Sequence, residues 1–190
     1  RHEVCTKSPL TNMWLDSSAS GWWARDFKLA GYDGVILEGA ADAPVYLWIS
    51  DGKAEIRDAS AYWGMDSDET QDAIRKELGD DKIKVACIGP AGENLVKFAT
   101  ITTDGTHARA VGRCGLGAVM GSKNIKAIVV RGDRETEVAD PDKIRELMKK
   151  LASPMAEFRK VLGAYGTSGG MEGCEEIGNI PVKNWFQGPF

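Results

Sequence analysis

The stretch Gly112-Arg-Cys-Gly-Leu-Gly-Ala-Val-Met-Gly-Ser-Lys-Asn-Ile-Lys-Ala-Ile-Val-Val-Arg-Gly132 joins a glycine-dense turn to an apolar run, and the fold follows from how it is read. The apolar, β-branched residues 125–130 predict a buried strand. The glycines invite two phosphate-binding readings. A P-loop needs Gly-x4-Gly-Lys-Ser/Thr, so that the lysine reaches the terminal phosphates; here the order is Gly121-Ser-Lys-Asn. A Rossmann turn needs Gly-x-Gly-x-x-Gly directly after an apolar strand, whereas Gly115-x-Gly117-x3-Gly121 follows the polar residues 106–111. Neither motif fits. Glycines still allow close backbone approach, the N–H groups of a following helical turn attract an anion, and Arg109 and Arg113 stand ready for charge-assisted pairs with phosphate. A plain structural turn between strands is the alternative.

Upstream, three runs predict strands: residues 34–38, 45–50 and 53–57. Asp51-Gly52 between the last two is a hairpin signal, because a type I′ turn needs positive φ at both central residues. A helix is expected next, capped by Ser67 or Asp68, with Gln71 in the capping-box place, apolar Ile74 and Leu78, and Gly79 as its stop. Residues 84–89 and 95–103 read as two more strands. Downstream, the charged linker 132–140 predicts a domain boundary, and Asp140-Pro141 opens a helix with Ile144, Leu147, Met148 and Leu151 on one face. A glycine-rich loop and an extended tail follow. The expectation is an α/β fold of the α+β type, with a first domain over residues 1–133 and the start of a helical domain over 134–190.

The 190 residues carry 24 Lys+Arg against 28 Asp+Glu, a formal net charge of −4, and 43% hydrophobic residues. That is the composition of a folded globular protein, and the scattered basic residues give no footprint for nucleic acid or an anionic membrane. The longest apolar run, residues 43–49, falls far short of the ~20 residues that span a bilayer. Cys5, Cys87, Cys114 and Cys174 form no CxxC pair, so neither a zinc site nor a disulfide scaffold is indicated, and a reducing cytoplasm is the expected compartment. The missing initiator Met and the mid-strand start suggest a fragment, a processed product or a partial chain.

Single residues say less. His2 and His107 are the only histidines and read as surface residues. Asp66, Asp68, Glu69 and Asp72 suit a helix N-terminus, where carboxylates meet the dipole. Trp14, Trp22 and Trp23 either pack a core or line a cofactor slot. Cys114, beside Arg113, is a candidate for a reactive thiol or an inert one.

Residues 112–132 closely resemble the glycine-rich signature of the aldehyde ferredoxin oxidoreductase family, the tungsten or molybdenum bis-pterin enzymes. Further blocks agree in order: Thr6-Lys-Ser-Pro-Leu-Thr, Lys28-Leu-Ala-Gly-Tyr-Asp-Gly-Val-Ile-Leu-Glu-Gly, and Ile88-Gly-Pro-Ala-Gly-Glu-Asn-Leu-Val-Lys-Phe-Ala. The tail Gly178-Asn-Ile-Pro-Val-Lys-Asn-Trp is similar to the sequence that precedes the family's iron–sulfur motif.

The resemblance implies a sheet-based domain on which two pterins rest. By position, the family's pterin-binding residues fall on Arg1, on Ser18, Ser20 and neighbouring Gly21, and on Arg109, Ala110, Gly112 and Arg113. Main-chain carbonyls of Ser18 and Ala110 would hold the Mg²⁺ that bridges the pterin phosphates. Ser18 stands where the family has asparagine, while Ser20 and Cys114 stand where it has glycine; an added Cβ at Ser20 alters how closely a pterin approaches. The loop at 104–108 also departs from the family in length. The implied activity is oxidation of an aldehyde to a carboxylic acid, with electrons leaving through a [4Fe–4S] cluster, liganded outside these residues, to ferredoxin or a similar carrier. A homo-oligomer or further subunits would accompany it. Two alternatives stay open: a same-superfamily aryl-CoA reductase of the benzoyl-CoA type, and a non-catalytic pterin scaffold that needs a partner chain.

Overall fold

The computed structural model describes residues 1–107 and 109–187. By its contacts the chain divides into two compact units, Arg1–Thr136 and Glu137–Phe190.

The first unit opens with an antiparallel hairpin, β1 (His2–Lys7) and β2 (Trp14–Ala19), in which His2 faces Ala19 and Lys7 faces Trp14. Its turn is closed by Ser8, whose Oγ accepts the Leu10 and Thr11 N–H groups at 3.2 and 3.1 Å. A short helix α1 (Trp23–Leu29) follows. Then comes a six-stranded mixed sheet, built from β3 (Val45–Ser50), β4 (Lys53–Asp58), β5 (Lys84–Cys87), β6 (Ile101–Thr103), β7 (Arg109–Val111) and β8 (Ile125–Arg131) in the order β4-β3-β8-β5-β6-β7. Only the β3–β8 pair is parallel. Helices α2 (Ser67–Leu78), α3 (Pro90–Glu93) and α4 (Leu116–Ser122) fill the connections.

Two apolar clusters sandwich the sheet. One packs β2, α1 and α4 on one face through Leu15, Trp23, Phe27, Leu116 and Met120; the other packs α2 through Ile74 against Tyr46, Val85 and Val129. Central β8, with burial on both faces, therefore needs the unbroken apolar run that the sequence supplies.

Three local expectations change. Residues 34–38 form no strand, and just after them the chain is tied to the α4–β8 turn, where Ala41 N–H donates to Lys123 O and Lys123 Nζ and Asn124 Nδ2 reach the carbonyls of Gly39 and Ala41. The strand expected over 95–103 begins only at Ile101, because Leu95 takes φ 57° and consecutive turns occupy the N–H groups of Asn94, Leu95, Val96 and Ala99. The cap of α2 is Asp66: its carboxylate accepts Asp68 and Glu69 N–H, each at 2.9 Å, and Glu69 returns the bond to Asp66 N–H. Gln71 turns inward instead and accepts Gly105 N–H at 2.8 Å. The hairpin at 51–52 and the left-handed Gly79 at the end of α2 match expectation.

The second unit contains α5 (Pro141–Phe158), α6 (Lys160–Tyr165) and α7 (Met171–Glu176). Asp140 caps α5 by accepting Lys143 N–H at 2.9 Å. The apolar stripe Ile144, Leu147, Met148 and Leu151 is exposed. No helix among the described residues is long and apolar enough to cross a membrane.

Candidate functional site

In the β1–β2 hairpin, period-two alternation sends His2, Val4, Leu15, Ser17 and Ala19 toward the sheet. The opposite face carries Glu3, Cys5 and Lys7 opposite Ser18, Asp16 and Trp14. That outward face meets the end of the sheet at β7 and the turn after it. The junction is tied by Arg113 N–H donating to Ser17 Oγ at 3.4 Å.

Two concavities form along this seam. The first, about 450 Å³, is lined by Glu3, Asp16, Ser17, Ser18, Ala110, Gly112 and Arg113. The second, about 440 Å³, is lined by Ser20, Gly21, Trp22, Asp104, His107 and Arg109. Of the eight residues named from sequence, the first holds Ser18, Ala110, Gly112 and Arg113, and the second holds Ser20, Gly21 and Arg109. Arg1 is exposed and lines neither. Residue 108, in the same loop, lies outside the described residues.

Among the described residues, Arg109 and Arg113 make no ion pair, which leaves both guanidinium groups available to an anion. Glu3 and Asp16 line the first concavity together with Arg113. Such a mixed lining suits a ligand carrying both phosphate and neutral hydrogen-bonding groups better than a simple polyanion.

The glycine stretch divides its work. A Cβ on Gly115 would lie 2.0 Å from Lys97 O, one on Gly117 2.5 Å from Thr100 O, and one on Gly121 2.0 Å from Gly92 O. These three glycines seat α4 against α3 and the segment before β6. Gly112 is different: the nearest atom to its virtual Cβ is 4.0 Å away, so it faces open space in the concavity. The expectation that N–H groups of the following helical turn point at an anion changes too, because Gly117 N–H is used by Ala99 O at 2.9 Å. The stretch that borders the first concavity is instead Ala110, Gly112 and Arg113. Cys114 there is exposed and takes φ 69°, a conformation that favours glycine.

His2 is not a surface residue. Its ring lies 4.8 Å from that of Trp23, both ring nitrogens are buried without a hydrogen-bond partner among the described residues, and burial lowers its pKa. The tryptophans separate: Trp23 is core, stacked on Phe27 with its Nε1 donating to Ile128 O, whereas Trp14 and Trp22 are exposed and Trp22 edges the second concavity. Glu3, Asp16, Ser17 and Asp104 were not singled out from sequence. Alternation over residues 2–7 and 14–19 was the available signal for the first three; Asp104, whose partner Trp22 lies 82 residues away, had none.

Residues 1–132 match the domain described as "Aldehyde ferredoxin oxidoreductase, N-terminal domain". The whole chain is 48% identical to the tungsten-containing aldehyde ferredoxin oxidoreductase of Pyrococcus furiosus, covering 32% of it, and 45% identical to that of Thermococcus kodakarensis, again covering 32%. Over 96% of its length it is 40% identical to the WOR-like subunit of an aliphatic sulfonate oxidoreductase from Pyrococcus furiosus, covering 31% of that protein. A solved structure, the active-site complex BamBC of benzoyl coenzyme A reductase with 1,5-dienoyl-CoA, superposes with a TM-score of 0.77 at 41% identity, over 82% of this chain and 23% of the other. The chain thus spans about a third of the length of the curated relatives it matches.

Proposed function

Because the chain belongs to the aldehyde ferredoxin oxidoreductase family, we propose that it forms the base of a tungsten- or molybdenum-bis-pterin site in an enzyme that oxidises aldehydes to carboxylic acids. The observation that carries this reading is the convergence of Ser18, Ala110, Gly112 and Arg113 on one concavity and Ser20 and Arg109 on its neighbour.

The residues present suit the cofactor. Arg109, in β7, and Arg113, two residues beyond that strand, have no competing ion pairs among the described residues and would neutralise pterin phosphates. Arg1, next to the His2–Ala19 end of the hairpin, is the third arginine of this reading. Main-chain carbonyls of Ser18 and Ala110 would hold the Mg²⁺; hard oxygen ligands are what that ion takes. Gly112 lets the ligand approach the backbone. When bound, the metal pterin supplies the two-electron chemistry, and the protein supplies position and charge. No catalytic acid or base is assigned within this chain. The reading includes a [4Fe–4S] cluster liganded by residues outside this chain, ferredoxin or a similar carrier as electron acceptor, further subunits or a second copy, and a cytoplasmic setting.

A second reading, aryl-CoA reduction, is favoured by the 41% identity to the benzoyl coenzyme A reductase chain. It uses the same base, so product analysis of the complete enzyme with an aldehyde and with an aryl-CoA thioester separates the two.

The test of the base itself is Arg109→Ala and Arg113→Ala in the complete enzyme. Each lowers tungsten plus molybdenum per chain, by about tenfold on the scale of lost outer-sphere partners. Unchanged content in both variants overturns the assignment.

A further inference from the structure

We propose that Asp104 is a positioning residue that locks the two arms of this cradle together, an inference that rests on the cofactor-base reading above. Asp104 is 8% exposed and lies at the end of β6. Both of its carboxylate oxygens accept the Trp22 N–H, at 3.1 and 3.2 Å, and Thr103 Oγ1 donates to Oδ2 at 3.1 Å. Trp22 is the N-cap of α1 and its own side chain makes no cap bond, so Asp104 supplies from across the fold the acceptor which that helix start lacks.

The carboxylate is the fixed partner in this contact. Asp104 takes φ 66° and Gly105 φ 55°, and the turn is pinned by Gly105 N–H donating at 2.8 Å to Oε1 of Gln71, a fully buried residue of α2. Gly21 shows how tightly the other arm is drawn in: a Cβ there would fall 1.7 Å from Asp104 Oδ2 and 3.1 Å from Arg109 Cγ. Only a residue without a side chain allows that approach. Ser20, one residue before Gly21, and Arg109, five residues after Asp104, line the same concavity. Asp104 therefore sets the spacing between them. With its oxygens engaged by Trp22 and Thr103, it acts through place and not as a ligand; a bare carboxylate would repel an anionic cofactor.

The left-handed backbone at 104 provides a clean test, because glycine adopts it without strain and asparagine tolerates it. In the complete enzyme, Asp104→Gly removes the acceptor, while Asp104→Asn keeps one oxygen for the Trp22 N–H. The expected result for Asp104→Gly is about a tenfold loss of tungsten plus molybdenum per chain, faster amide exchange confined to residues 20–23, and a cofactor-free melting midpoint close to wild type. Asp104→Asn restores content and slow exchange. Wild-type content in Asp104→Gly overturns the proposal and leaves the cofactor-base reading standing. Equal losses in Gly and Asn with a lowered melting midpoint also overturn it, as a stability effect. A wild-type enzyme that holds neither metal overturns both.

Discussion

Lys126 and Glu93 form an ion pair sealed inside the first unit: Nζ lies 2.5 Å from Oε1, with the side chains 0% and 5% exposed. Lys126 Nζ also donates to Met65 O at 2.8 Å, and both Glu93 oxygens accept Gly64 N–H. One strand, one helix and one loop are thereby tied at a single point. Breaking a buried pair leaves an uncompensated charge, so Lys126→Met costs about 3–5 kcal/mol of stability, and the double change Lys126→Met with Glu93→Leu recovers a large part. Denaturant unfolding of the three proteins checks this; a double variant no better than Lys126→Met contradicts it.

The glycines between β7 and β8 divide into two kinds. Gly121→Ala drives a methyl group onto Gly92 O and costs about 1–3 kcal/mol by overpacking, enough to lower the melting midpoint measurably. Gly112→Ala meets nothing closer than 4.0 Å, so it leaves the midpoint unchanged and acts only on cofactor content. Equal midpoints for the two variants would contradict this division.

His2 makes the fold sensitive to mild acid. Burial is the chief cause of its lowered pKa, and Asp104 opposes it. Below the ordinary value of 6.5 the unfolded chain therefore binds the proton more readily than the folded one, and stability falls as pH drops through the window beneath 6.5. Above it the contribution is flat. His2→Phe keeps an aromatic ring against Trp23 and removes this slope. Urea midpoints at pH 7.5 and 5.5 test it, and an unchanged slope in the variant counts against the assignment.

The cysteines differ in reactivity. Cys87 is buried, its thiol pKa is pushed up to about 12 chiefly by burial, and Sγ donates to Ser67 O at 3.4 Å. Cys5 and Cys114 are exposed. Brief iodoacetamide treatment of the folded protein labels Cys5 and Cys114 and spares Cys87 until denaturant is added. Early labelling of Cys87 would mean that the inner cluster opens readily.

Sequence reading succeeded where the signal was local. The Asp51-Gly52 turn, the Gly79 stop of α2 and the unbroken apolar run of β8 follow from backbone geometry and burial on both faces of one strand. It failed where tertiary partners decide. Residues 34–38 have strand composition yet form no strand, and the chain just after them is held at Gly39 and Ala41 by Lys123 and Asn124, more than eighty residues away. The cradle was half legible: the arginines and Gly112 announce themselves, while Glu3 and Asp16 reach it only because the hairpin register puts them on Ser18's face. The burial of His2 is not legible in the sequence, because it depends on Trp23, a contact that no spacing reveals.

The central claim is that this chain is the base of a metal-pterin site. Its most direct test is tungsten and molybdenum analysis of the complete protein, purified without oxygen from its native source, with the released pterin measured on the same sample. The account predicts one of these metals at about one per chain with about two pterins, the stoichiometry of a bis-pterin cofactor bound by its protein. A fully folded protein containing neither metal nor pterin would contradict it.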